Sequence, residues 1–244
     1  MAIIAVLATV GLPMMKGFGK GTGMAGAQRQ LLQDLALARL SAINLRSTVY
    51  VVFVPPGMMA NFPVISAMPN PPRNQLMRQL TNLISGQYSA YALLATRTVG
   101  DQPGQQTPHY LSEWKRLPQG ILIATNKINM ANPDVLNLDP VLNGYPVEYK
   151  RYFSTNLFPF PSSRSPVFKL PCVAFNSQGQ LVSKRDELIP LAEGSIFFTG
   201  GNGNYLAPPD VSMKPNNNYT NHFIRINWLT GRASVDEATR AKFP

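Results

Sequence analysis

Apolar residues recur at helical spacing between Ala27 and Arg46. The repeat consists of Leu31, Leu35, Ala38, Ala42 and Leu45. Steps of four, three, four and three are typical of one face of an α-helix. Further apolar residues widen this face: Leu32, Leu37, Leu40 and Ile43. The face opposite is polar: Gln30, Gln33, Asp34, Ser41 and Asn44. Because a fully buried Leu contributes about 1.5–3 kcal/mol, we predict that this helix docks on a sheet through the repeat.

Downstream of this helix, β-branched and aromatic runs bounded by turn residues predict strands. The predicted strands cover residues 48–54, 88–99, 121–124, 167–175, 180–182, 195–199, 222–228 and 233–235. A proline at Pro171 inside one of them indicates an edge strand or a bulge. A short helix is predicted from Asn74, as its cap, to Ser85, with Leu76, Leu80 and Leu83 on one side. The order predicts an α+β fold, with a long N-terminal helix packed on antiparallel sheets.

The first residues form an uncharged and nearly continuous apolar run, Ala2–Val10, and the first charge is Lys16. A helix that spans a bilayer needs about 20 apolar residues, and a signal peptide has a basic region before its apolar run. The run fits neither pattern. It is either a buried core helix or a truncated membrane anchor. We favour the anchor, because only Thr9 interrupts the run and a core helix shows polar positions at a period of 3.6.

Glycine is dense between Lys16 and Gly26, and each interior glycine costs a helix about 1 kcal/mol relative to Ala. We therefore predict a loosened joint there, and the spacing excludes a phosphate-binding loop. We interpret residues 1–26 as an apolar helix with a glycine-rich joint, and residues 27–244 as one globular domain. Segments 57–75 and 127–165 are interpreted as insertions, the second with little regular structure and facing a partner.

Composition narrows the function classes. Hydrophobic residues make up 45% of the chain, which excludes a wholly disordered protein. The net charge of +10 favours an anionic partner such as nucleic acid, although the basic residues are dispersed. One cysteine, Cys172, and two histidines exclude a disulfide scaffold and a Cys-based or His-rich metal site. We predict no metal and no cofactor.

Few residues are candidates for catalysis. Asp186 and Glu187 are adjacent, so on a strand they point to opposite faces. His109 and His222 are each a possible base, but no hydrolase or zinc-protease motif accompanies them. Cys172, between a proline and a valine, is interpreted as a buried small hydrophobe. We predict that the chain is not an enzyme and has no small-molecule substrate.

Four segments, in order, resemble parts of one family. They are the apolar run through Pro13, the amphipathic segment at 34–43, the Trp-Lys-Arg-Leu-Pro-Gln-Gly turn at 114–120, and two C-terminal hairpins at 175–179 and 224–232. Together they resemble a type IV pilin-like minor pseudopilin of the GspH/FimT kind. The resemblance covers about half of the chain and includes neither predicted insertion.

The resemblance implies a structural subunit of a type IV pilus or a type II secretion pseudopilus. Its N-terminal helix would sit in the bacterial inner membrane as a single pass, with the globular domain outside the cytoplasm, before assembly into a filament. The implied partners are other pilin-like subunits and inner-membrane lipid. The residues implied for membrane and filament packing are Ala2, Ile3, Ile4, Val6, Leu7, Val10, Leu12 and Pro13. The residues implied for the central turn are Trp114, Leu117, Pro118 and Gly120.

The family pattern begins with a Phe-Thr-Leu-Ile-Glu-like stretch about three helical turns before the position of Met1. Prepilins also carry a basic leader ahead of that stretch. We therefore expect either an upstream start codon or a truncated product. A second interpretation, a nucleic-acid-binding minor pilin in DNA uptake, stays open because of the net charge and of the aromatic residues at 145–160.

Overall fold

The computed structural model describes residues 2–58, 62–70, 72–102, 107–139, 142, 145–198, 209–214 and 222–237, with side chains between residues 23 and 236. It combines helices with antiparallel sheets, which confirms the α+β prediction. The helices are α1 (Ala2–Leu45), α2 (Phe62–Ser66), α3 (Pro72–Ile84) and α4 (Val147–Lys150). A short 3-10 helix covers Thr125–Lys127.

The described strands form two sheets in which all neighbours are antiparallel. The strands are β1 (Val49–Phe53), β2 (Ala90–Ala95), β3 (His109–Tyr110), β4 (Lys115–Arg116), β5 (Ile121–Ile123), β6 (Ser154–Pro159), β7 (Val167–Phe175), β8 (Glu187–Phe197), β9 (Asp210–Lys214), β10 (His222–Ile226) and β11 (Ala233–Glu237). The first sheet has the order β3-β2-β1-β7-β6, and β4 also pairs with β2. The second has the order β11-β10-β8-β5, and β9 also pairs with β8.

The main core lies between α1 and both sheets. Alternate side chains of β1, β2 and β7 from the first sheet, and of β5, β8 and β10 from the second, meet one stripe of α1. The stripe consists of Met24, Ala27, Leu31, Leu35, Ala38 and Ala42, all buried. The opposite face of the first sheet carries α3, which contributes Leu76, Leu80, Leu83 and Ile84 to a second core. The first sheet is therefore covered on both faces, which explains why every residue of β2 is buried.

Three sequence predictions about local structure were wrong. β7 was predicted to be an edge strand or to contain a bulge, but it lies inside the first sheet between β1 and β6. It pairs with β1 only from Cys172 onwards, and Pro171 pairs with β6 alone. Segment 127–165 contains α4 and β6, and its residues Tyr149 and Phe153 are buried rather than facing a partner. α3, the helix predicted to begin after Asn74, starts at Pro72, so Asn74 lies inside it and does not cap it.

The glycine-dense stretch was predicted to be a loosened joint. The bounds of α1 run through residues 16–26 without a break. A Cβ at Gly26 would lie 3.8 Å from Pro118, and one at Gly23 would lie 3.9 Å from Ile121. These two positions face the central turn and the start of β5, and both distances are ordinary van der Waals contacts, so the packing there does not require glycine.

Candidate functional site

The residues predicted for membrane and filament packing lie in the part of α1 whose side chains are outside the description. They are Ala2, Ile3, Ile4, Val6, Leu7, Val10, Leu12 and Pro13. Within the described part of the chain, no helix has both the length and the apolar character that a membrane crossing requires.

The residues predicted for helix docking lie together on the core side of α1. Leu31, Leu35, Ala38 and Ala42 are buried, and Leu45 is half-buried against the same core. The spacing of these residues fixes one narrow line of contact along the helix. Leu37 and Leu40, which widen the apolar face in sequence, are 47% and 50% exposed on its outer side. The described part of α1 therefore has an apolar stripe against the body and two leucines directed away from it.

The residues predicted for the central turn link the first sheet to the second. The indole nitrogen of Trp114 donates to the carbonyl oxygen of Pro161 at 2.8 Å, and the indole packs edge-on against Phe160. Leu117 is buried in the core under α1. Gly120 has φ +82°, a left-handed conformation that favours glycine, and its carbonyl accepts from the amide of Gly194 at 2.8 Å. The turn thereby joins β4, β5 and β8.

A buried polar network connects α1 to this turn. The hydroxyl of Tyr91 donates to Oδ2 of Asp34 at 2.6 Å, and Nζ of Lys115 lies 2.5 Å from Oδ1 of the same carboxylate. Gln30 donates to the carbonyl oxygen of Arg116 at 2.8 Å. Burial, together with the adjacent Asp34 carboxylate, raises the pKa of Tyr91, so its hydroxyl stays a proton donor. Helix, strand and turn are thus fixed to one another by charge-assisted hydrogen bonds.

The position of Asp34 corrects the sequence analysis, which placed it on the polar face. Asp34 is buried, because it follows Leu31 by three residues and precedes Ala38 by four, which puts it on the docking stripe. The helical spacing of these residues predicts a buried position for Asp34, whereas its charge favours the exposed face. Tyr91 and Lys115 were not predicted as its partners.

Replacement of Asp34 by Asn is expected to lower the free energy of unfolding by about 1–2 kcal/mol, because the charge-assisted contact with Lys115 is lost. Asn still accepts a hydrogen bond from Tyr91, so the fold is expected to persist. Chemical denaturation followed by circular dichroism measures the change. Gln33→Ala, at an exposed neighbouring position, serves as the control, and an equal loss in both variants would contradict a role for the network.

A groove of about 750 Å³ lies beside the turn, between α3, the segment from Tyr110 to Arg116 and the loop at 161–163. Its polar groups hold neighbouring segments of the chain. Arg116 donates to the carbonyl oxygen of Asn82 near the C-terminal end of α3, where the helix dipole favours a cation. The hydroxyl of Tyr110 donates to the carbonyl oxygen of Pro159 at 2.7 Å, and burial raises its pKa. Arg116 and Tyr110 in the lining of the groove therefore make structural contacts.

The candidates for catalysis are dispersed. His109 lies in the first sheet, with Nε2 3.0 Å from Oδ1 of Asp101, whereas His222 lies in the second sheet. Asp186 accepts from the amide of Trp228 at 2.9 Å, while the adjacent Glu187 is buried against Lys127. Among the described residues, no group of three or more His, Cys, Asp or Glu side chains is placed to hold a metal ion.

Cys172 is buried, and burial raises the pKa of its thiol to about 12. A thiol with such a pKa stays protonated at neutral pH and is a poor nucleophile. Its position fits the interpretation of Cys172 as a small hydrophobe on β7.

The most unusual polar contact of the described chain was not predicted. Lys127, at the end of the 3-10 helix, has 0% exposed surface, and its Nζ lies 2.5 Å from Oε1 of Glu187. It also donates to the carbonyl oxygen of Glu148 at 2.9 Å. Lysine is almost never fully buried unless it is paired. Nothing in the sequence distinguishes Lys127 from the other lysines, and Glu187 comes from a distant strand.

No protein-family model, curated protein or solved structure matches this chain. Membership of the pilin-like family therefore stays a prediction from the sequence motifs.

Proposed function

We propose that this chain is a structural subunit of a type IV pilus or of a type II secretion pseudopilus-like filament. In this proposal the long N-terminal helix is the pilin-like spine. It holds the subunit in the inner membrane before assembly, while the globular domain lies outside the cytoplasm. The subunit contributes packing surfaces and no catalysis.

One observation carries the proposal: the described part of α1 docks on the body through a single narrow stripe, and an uncharged apolar run precedes that part in the sequence. The buried stripe extends back to Met24, next to the first residue whose side chain is described, and the uncharged run Ala2–Val10 precedes it in the same chain. In this proposal the run is left uncovered by its own domain, and lipid or neighbouring subunits stabilise it by removing it from water.

The outer face of α1 supports the same proposal. Leu37 and Leu40 lie three residues apart on the exposed side of the helix, so they are neighbours on its surface. Ala36 beside them is also exposed, so Ala36, Leu37 and Leu40 form a small apolar strip. In a filament this strip would be available for contact with a neighbouring subunit.

Deletion of residues 1–15 tests the function. We expect the shortened protein to leave the membrane fraction, to fold as a soluble monomer and to be missing from filaments, because the apolar run is removed and the docking stripe is kept. Cell fractionation and immunogold labelling of sheared filaments measure the two effects. The control is Val182→Lys, which places a charge at an exposed position of the globular domain and is expected to change neither result.

Membrane retention or filament incorporation of the deletion variant would contradict the proposal. A shielded position of Ala2–Val10 inside the globular body would contradict it as well, and protease protection of this segment in detergent-free solution detects that case. In-frame codons for a basic leader and a Phe-Thr-Leu-Ile-Glu-like stretch upstream of the Met1 codon would support the family.

A further inference from the structure

The contact between Lys127 and Glu187 brings a primary amine and a carboxyl group together inside the core. Nζ of Lys127 lies 2.5 Å from Oε1 of Glu187. The carbonyl oxygen of Glu148 accepts a hydrogen bond from Nζ at 2.9 Å, and the ring of Phe153 covers the amine with its centroid at 5.1 Å. These contacts fix the amine in one position and exclude solvent from it.

The geometry of this contact differs from that of an ordinary salt bridge. The two atoms are only 2.5 Å apart, and Oε1 of Glu187 is buried with no well-aligned hydrogen-bond donor. A buried carboxylate oxygen is normally satisfied by a donor. The amine therefore lies in direct contact with a buried carboxyl oxygen.

We propose that Lys127 and Glu187 form an intramolecular amide bond, so that the folded chain carries a covalent cross-link between the 3-10 helix and the start of β8. Nζ attacks Cδ of Glu187, the new N–C bond forms, and the bond from Cδ to one carboxyl oxygen breaks. That oxygen leaves as water with one proton from the amine and the proton of the carboxylic acid. No oxidant, reductant or other reactant is required.

The surroundings favour the neutral forms that this step needs. Burial lowers the pKa of Lys127 and raises the pKa of Glu187, each partly offset by the attraction of the other. Arg151 also lowers the pKa of the amine, whereas Arg185 works against protonation of the carboxyl group. Transfer of one proton from the amine to the carboxylate gives a nucleophilic amine and a carboxylic acid in contact. Groups held in this way react as if at a very high local concentration.

A small cavity next to the carboxyl group gives the leaving water a place to go. It has a volume of about 190 Å³ and is lined by Glu187, Cys172, Tyr50 and Ser183 among others. Hydroxyl groups on its wall supply the partners that a buried water needs. The product would link the segment after β5 to β8 through a closed loop. In a chain with one cysteine, such a link would constrain the unfolded state as a disulfide does.

Peptide mass analysis of the purified full-length protein tests the proposal. After denaturation and trypsin digestion, we expect residues 117–150 joined to residues 186–225, with a mass one water below the sum of the two peptides. Trypsin cannot cut after a Lys127 that is acylated, so the free peptide 117–127 should be lost. Fragment ions that contain parts of both peptides locate the link.

Two variants serve as controls. Lys127→Arg keeps the charge but has no nucleophilic amine, and it is expected to give the free peptides only. Lys150→Arg changes a lysine outside the pair and is expected to keep the linked peptide. Free peptide 117–127 in full yield from the folded wild-type protein, even after prolonged incubation, would overturn the proposal and leave an unlinked ion pair. This result is independent of whether the subunit enters filaments.

Discussion

Replacement of Lys127 by Met is expected to lower the free energy of unfolding by about 3–5 kcal/mol, because it removes either the ion pair or the proposed amide bond and leaves the Glu187 carboxyl group buried without a partner. Lys127 has no exposed surface, and the Glu187 side chain is only 10% exposed, so solvent compensates poorly for the lost amine. Guanidinium unfolding of the detergent-solubilised protein at neutral pH, followed by tryptophan fluorescence, measures the change. A loss of this size is a large part of the stability of an ordinary domain.

The double variant Lys127→Met with Glu187→Leu separates loss of the contact from loss of volume. If the cost of the single variant comes from an unpaired buried carboxylate, removal of that carboxylate should restore most of the stability. Equal stability of the single and double variants would show that loss of the lysine packing or of the proposed cross-link, rather than an unpaired carboxylate, explains the effect. A single-variant loss below about 1 kcal/mol would show that Glu187 reaches solvent.

The stripe of α1 was predictable because position alone determines it. Apolar side chains at steps of three and four can face only one side of a helix, and Leu31, Leu35, Ala38 and Ala42 are indeed all buried. β7 was predicted at its observed bounds for a similar reason, since a β-branched and aromatic run between turn residues has few alternatives. In both elements the local pattern and the tertiary contacts favour the same conformation.

Prediction was less successful where tertiary contacts supply the stabilisation. β6 has the burial of an edge strand, with Asn156 and Leu157 exposed, so its sequence shows no clear alternation. It forms because β7 offers it a hydrogen-bonding edge. β3 and β4 contain two residues each, which is too short for any periodicity. Phe153 was assigned to a surface facing a partner, yet it stacks on Phe53 with centroids 4.9 Å apart.

The polar contacts of the interior were the hardest to predict. Asp34, Tyr91 and Lys115 come from α1, β2 and β4, and Lys127 meets Glu187 across the second sheet. Charged residues are usually exposed, so residue type alone favours the surface for the two acids and the two lysines. Only the three-dimensional arrangement brings the opposite charges together. These contacts fix how α1, the central turn and the two sheets are placed, which the hydrophobic pattern leaves open.

Truncation of Leu35 to Ala is expected to lower the free energy of unfolding by about 2–5 kcal/mol, because it opens a cavity where α1 meets both sheets. Leu35 has 0% exposed surface and lies in the middle of the buried stripe. Leu37→Ala is the matched control: it removes the same atoms from the same helix, two residues further on, at a side chain that is 47% exposed. Its effect on stability is expected to stay within about 0.5 kcal/mol.

The same pair of variants separates folding from assembly. Leu37→Ala should keep the fold but reduce the amount of subunit in sheared filaments, because the proposed function assigns the outer strip of α1 to contacts between subunits. Leu35→Ala should lower both stability and the cellular amount of folded subunit, since unfolded protein is degraded. Denaturant unfolding and quantitative immunoblots of cells and filaments distinguish the two. Equal destabilisation by both variants would mean that α1 is covered on both faces within the subunit, which removes the surface that the filament proposal requires.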